Sequence, residues 1–148
     1  MLTGAVIGMV LIVVSGWMHL TTRNTFKDGQ TGLIWQDDKD AKNKKMNWKK
    51  AKNYCQDLSL ALKDDWRVPA VKELQTIVDL KKFNPAVKKG FKNVSSGKYW
   101  ASEQIIEENI GYLVNFKHGD TGKYSTAAKL GVRCVRGDFS IQPVKRQQ

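Results

Sequence analysis

The hydrophobic period of this chain changes once, and that change limits the folds open to it. In the first half, Trp48, Ala51, Cys55, Leu58 and Leu62 recur at spacings of three and four. That is one apolar stripe along a helix. Val71, Leu74, Ile77 and Val78 repeat the pattern. Beyond about residue 97 the period falls to two. "KYWASEQ" reads as a strand, Tyr112, Val114 and Phe116 alternate, and in "KLGVRCVRGDF" Val132 and Cys134 share one face while Arg133 and Val135 take the other. A strand, two helices and then several antiparallel strands make an α+β domain.

Local signals place the boundaries. "TGLIWQDD" is a short strand after a glycine turn, with Leu33 and Trp35 on one face. "DKDAKNKK", residues 38–45, reads as a solvated loop. Asn47 is a suitable N-cap for the first helix, which carries Lys49, Lys50, Lys52, Asn53 and Asp57 on its polar face. Pro69 stands near the start of the second. "KKFNPAVKKGFKN" is irregular and basic, and "HGDTG" is turn chemistry. Residues 23–142 read as one domain and 143–148 as a polar tail.

Residues 1–22 carry no Lys, Arg, Asp or Glu, and 5–14, "AVIGMVLIVV", are unbroken apolar sequence. A run of about 20 such residues is long enough to span a bilayer. A secretion signal cleaved after Gly16 is the alternative, but signals usually open with Lys or Arg. The reading preferred is a single retained transmembrane span, with Trp17 near the interface. Arg23 and Lys27 pull the following domain toward the cytoplasm, although large domains translocate regardless of flanking charge.

Two cysteines, Cys55 and Cys134, each fall on an apolar face. No Cys-x-x-Cys pair exists, and His19 and His118 do not cluster with them, so neither zinc nor a cysteine–histidine catalytic pair is indicated. A disulfide or two core thiols remain. The apolar run and the even cysteine count favour the disulfide, and with it an oxidising, extracytoplasmic location.

Several segments, in order, resemble the Lcl C-terminal domain family, a bacterial domain named after a collagen-like adhesin. They are "TGLIWQDD", "WKKAKNYC", "DWRVPAVKELQTIVD", "YWASE", "YLVNFKHG" and "VRCVRG", spanning about Thr31 to Gly137. The resemblance implies a fold similar to C-type lectin-like domains and to the sulfatase-modifying-factor group. It also implies a disulfide between a first-helix cysteine, here Cys55, and a last-strand cysteine, here Cys134. Two departures narrow the function. "FNPAV" and "YWASE" lack the carboxylates of a calcium lectin loop. Cys134 has no close cysteine neighbour of the kind formylglycine-generating relatives use.

The net charge of +11 predicts an anionic partner. Lys42, Lys44, Lys45, Lys49 and Lys52 crowd the first helix and its approach; Lys81, Lys82, Lys88, Lys89 and Lys92 form a second group without an acid among them. Trp35, Trp48, Trp66 and Trp100 read as core, and Asp37, Asp38, Asp40, Asp64 and Asp65 as solvated surface, with Asp65 a candidate for a structural hydrogen bond. The expectation is a non-catalytic, membrane-anchored extracytoplasmic module without cofactor or metal. It either recognises an anionic polysaccharide through its lysines or docks as an accessory subunit on a membrane-protein complex. Gly4 and Gly8 offer close helix packing for the latter. A secreted adhesin-like glycan-binding domain is the alternative, and an enzyme of the sulfatase-modifying-factor type a remote one. No nucleic-acid recognition element is visible.

Overall fold

A computed structural model describes residues 23–140, which form a mixed α+β domain with two sheets. The first sheet begins at a turn that its own side chains close. Asp28 accepts hydrogen bonds from the Thr31 hydroxyl at 2.9 Å and from the Gln30 amide at 3.0 Å, and Gly32 supplies the left-handed residue (φ 75°). Strand β1 (Thr25–Lys27) therefore folds back on β2 (Ile34–Gln36), with Phe26 opposite Trp35. Strand β8 (Val135–Arg136) completes the sheet in the order β1-β2-β8.

The second sheet has five strands in the order β3-β7-β4-β5-β6. They are β3 (Lys45–Met46), β4 (Lys98–Ile105), β5 (Ile110–Asn115), β6 (Asp120–Ser125) and β7 (Leu130–Gly131). Along β4 the side chains alternate between two cores. Tyr99 and Ala101 join Leu33, Trp35, Leu74, Ile77, Val114 and Phe116 on one face. Trp100 joins Trp48, Ala51, Cys55, Trp66, Leu113 and Val132 on the other. The central strands are thus covered on both faces, which is why β4 and β5 carry large side chains in both parities.

Three helices decorate this frame. Helix α1 (Lys39–Asn43) is capped by Asp38, whose carboxylate accepts the Ala41 amide at 2.9 Å. Helix α2 (Trp48–Asp57) is capped by Asn47 through the Lys50 amide and buries Trp48, Ala51 and Cys55. Helix α3 (Val71–Thr76) has no side-chain acceptor at Ala70. Glu73 accepts the Ala70 amide at 2.7 Å, and Glu103, reaching from β4, accepts the Val71 amide at 3.0 Å.

Four expectations are corrected. The stripe from Trp48 to Leu62 is not one helix: α2 stops at Leu58, after which Leu60 and Lys63 exchange backbone hydrogen bonds of 3.0 and 3.1 Å across a tight turn. Residues 38–45 are not a plain loop, because Asp38 caps α1 and Ala41 is buried. Asp37 is buried, not solvated, its carboxylate held by the amides of Lys92 and Asn93. Cys134 lies between β7 and β8 rather than within a strand, and residues 132–135 are buried in both parities, so the alternation of "VRCVRG" does not divide core from solvent.

The disulfide joins Cys55 to Cys134, with Cα atoms 5.5 Å apart and a sequence separation of 79. All four tryptophans of the domain, Trp35, Trp48, Trp66 and Trp100, are core. Asp65 makes the anticipated structural contact, to the Arg136 guanidinium at 2.6 Å. The expected span over residues 1–22 and the polar tail from 143 lie outside the described residues. Among the described residues no helix is long and apolar enough to cross a membrane.

Candidate binding surface

Helix α2 is amphipathic, so burying Trp48, Ala51 and Cys55 turns Lys49, Lys52, Asn53 and Gln56 to solvent. Trp48 sits at the seam. Its indole N–H donates to the Ala101 carbonyl of β4 at 2.9 Å, which fixes the ring between helix and sheet. The Lys52 ammonium lies 5.8 Å from that ring. A hollow of about 630 Å³ opens here, walled by α2 from Asn47 to Gln56 and, opposite, by Gln104, Thr126 and Ala127. A second hollow of about 300 Å³ continues past Trp48, Lys52 and Gln56 to Arg67, Val68 and Ser102. The shared residues join the two into one groove across the helix.

The chemistry of the groove is uniform. Its polar groups are amides, hydroxyls and cations, and no carboxylate of the described residues lines it. Arg67 is already committed: it forms a double hydrogen bond to Glu73, 2.7 Å on each arm, and reaches the Gly137 carbonyl at 3.0 Å. Lys49 and Lys52 are the groove's remaining cations. Such a surface can donate hydrogen bonds to hydroxyl and anionic oxygens while Trp48 offers a ring edge.

The lysines expected to act together are distributed. Of the first group, only Lys49 and Lys52 enter the groove. Lys42 and Lys45 are exposed on α1 and β3, and Lys44 pairs with Asp40 at 2.8 Å above the Tyr54 ring. Burial pushes the Tyr54 hydroxyl up to about 12, so it stays protonated beneath that ammonium. In the second group, Lys88 bonds Gln30 at 2.6 Å, and Lys82 bonds the Val87 carbonyl at 3.2 Å near Asp79. Lys81, Lys89 and Lys92 are exposed. The neutral residues Gln56, Gln104 and Thr126 carry no periodic or charge signal, and sequence reasoning did not single them out.

Elsewhere the chemistry is structural. Both cysteines are in the disulfide, and His118 packs its ring 5.0 Å from Phe83. Among the described residues no three His, Cys, Asp or Glu side chains come together to hold a metal ion.

No curated protein matches the chain. The family model of the Lcl C-terminal domain matches residues 24–136, from β1 through β8 and across both walls of the groove. This chain therefore belongs to the Lcl C-terminal domain family.

Proposed function

We propose that the protein is a non-catalytic binding module of a bacterial envelope, tethered by residues 1–22 with its disulfide-bonded domain outside the cytoplasm. Its groove along α2 recognises an anionic, hydroxyl-rich polymer such as an acidic polysaccharide. The observation that carries this reading is the makeup of the groove: Lys49 and Lys52 beside Trp48 and a set of amide and hydroxyl side chains, with no carboxylate among its described lining. The net charge of +11 adds long-range attraction. The disulfide suits an oxidising compartment. The link from α2 to the segment before β8 also suits a C-type lectin-like arrangement, which we adopt as the finer description of the fold.

Retention on an immobilised sulfated polysaccharide tests the reading. Binding should weaken steeply as salt rises, and Lys49→Glu with Lys52→Glu should weaken it several-fold more than Lys42→Glu with Lys45→Glu. Failure to bind even at low ionic strength removes the reading. A second role, as an accessory subunit docked on a membrane-protein complex, is favoured by Gly4 and Gly8 within the apolar run. Purification in mild detergent as a lone monomer counts against it.

A further inference from the structure

We infer that the turn Leu60–Lys63 seats on the anionic lipid surface of the bilayer that residues 1–22 enter, with Leu62 as the side chain that inserts. This rests on reading residues 1–22 as a membrane span. Arg23 is the first charged residue after the apolar run. Together with Asn24 it lines a hollow of about 250 Å³ whose other wall is Ser59, Leu60, Ala61 and Leu62. On that reading the turn stands beside the first residues to follow the span.

The turn itself is built to hold an apolar side chain out. Leu60 and Lys63 exchange both backbone hydrogen bonds, leaving two residues at the tip. Ala61 and Leu62 both adopt left-handed backbone, with φ of 54° and 60°. Residues with a Cβ resist that conformation, which glycine and asparagine ordinarily fill in such turns. The outcome is a leucine 65% exposed at the tip. In water this exposure gains nothing, whereas in the headgroup layer the side chain leaves water.

The surrounding charge favours an anionic surface. Lys63 closes the turn, Arg23 lines its hollow, and Lys39 shares an adjoining hollow with Arg23, Asn24, Asp38 and Asp40. Two of the nearby acids are neutralised, Asp40 by Lys44 and Asp65 by Arg136; Asp38 caps α1, and Asp57 and Asp64 are exposed. Cations beside a membrane exit are drawn to anionic headgroups.

The full chain in lipid nanodiscs tests this, with brominated phosphatidylcholine as quencher and with or without phosphatidylglycerol. A Trp17→Phe background removes the indole of the apolar run. Leu62→Trp should then show bromine quenching several-fold above that of Ile106→Trp. Ile106 is equally exposed but reaches the opposite, N-terminal end of α2 through Asn109 and Thr126. Phosphatidylglycerol should increase the quenching, and Arg23→Glu with Lys63→Glu should reduce it. Co-flotation with the discs reads the tether separately. A chain that co-floats but shows equal quenching at the two positions overturns the inference and leaves the tether standing. A chain that does not co-float overturns the tether, and the inference with it. Protection of the turn by a co-purifying protein, without quenching, also overturns the inference.

Discussion

Arg133 and Asp37 form an ion pair inside the domain: Nη1 lies 3.5 Å from Oδ1, with 1% and 3% of the two side chains exposed. Neither group depends on the other alone. Asp37 also accepts the amides of Lys92 and Asn93, each at 2.8 Å. Arg133 donates to the carbonyls of Gln36 and Asn93, and its guanidinium lies 5.0 Å from the Phe91 ring centroid. Burial lowers the Arg133 pKa, while Tyr99 and Asp37 oppose that shift. The pair fastens the end of β2, the loop at 91–93 and the segment between β7 and β8 at a single point.

Breaking that pair on one side should be severe. Arg133→Met leaves a buried carboxylate with only two amides, and the expected loss is about 3–5 kcal/mol. Urea unfolding reads it directly. Arg133→Met combined with Asp37→Leu should recover part of the loss, because no charge then stays buried without its partner. A double variant as unstable as the single one would show that the hydrogen bonds to Gln36 and Asn93 matter more than the charge.

The disulfide predicts a second large effect. Cys55→Ser or Cys134→Ser should lower stability by about 2–5 kcal/mol. The native domain should migrate faster on a non-reducing gel than on a reducing one, since a loop spanning 79 residues is closed. Alkylation of both thiols in the oxidised, unfolded protein is the contrary result.

Acid should weaken the domain through Glu73. Burial raises its pKa, but the Arg67 hydrogen bonds, the Ala70 amide and the Arg67 and Lys72 charges outweigh burial and hold it below its ordinary value of 4.5. A folded pKa below the unfolded one means that this contribution is present above pH 4.5 and is lost as pH falls through the folded value. The side chain is 4% exposed, so little water screens the pair from that side. Glu73→Gln should be less stable at neutral pH and lose less on acidification. Midpoints of urea unfolding across pH 2–7 check both statements.

Gly111 tests the seam between the helix and the large sheet. A Cβ there would lie 2.9 Å from Cζ3 of Trp100 and 2.9 Å from Cδ1 of Trp48, two buried rings with no room to turn. Gly111→Ala should cost about 1–3 kcal/mol. By displacing Trp48 it should also reduce retention on a sulfated polymer. Gly29→Ala, which meets nothing within 4 Å, is the control for thermal unfolding.

Legibility in the sequence followed physical range. Trp48, Ala51 and Cys55 announce α2 because helix period and burial coincide over ten residues. The end of α2 was not legible: Leu58 and Leu62 continue the period, and only the left-handed Ala61 and Leu62, which no local residue type signals, show the chain turning. Asp37 reads as solvated because acids next to lysines usually are. Its burial depends on Arg133, far along the chain, and on amides of a loop without periodic pattern. The Cys55–Cys134 link was anticipated from the apolar setting of both residues and from the family resemblance. The groove was legible only as lysines, because Gln104 and Thr126 reach it through tertiary placement of β4 and the turn after β6.

Residues 130–136 touch almost every early element. Leu130 and Gly131 pair with β3, Val135 and Arg136 with β2, Val135 with Arg67, Arg133 with Asp37, and Cys134 with Cys55. This keystone follows every one of those partners in the chain. Before it is made, β3 has no strand neighbour and Cys55 no mate, whereas β1 with β2, and β4 with β5 and β6, already have theirs. The domain is therefore closed from its late segment: its disulfide and its buried ion pair both wait on residues 130–136.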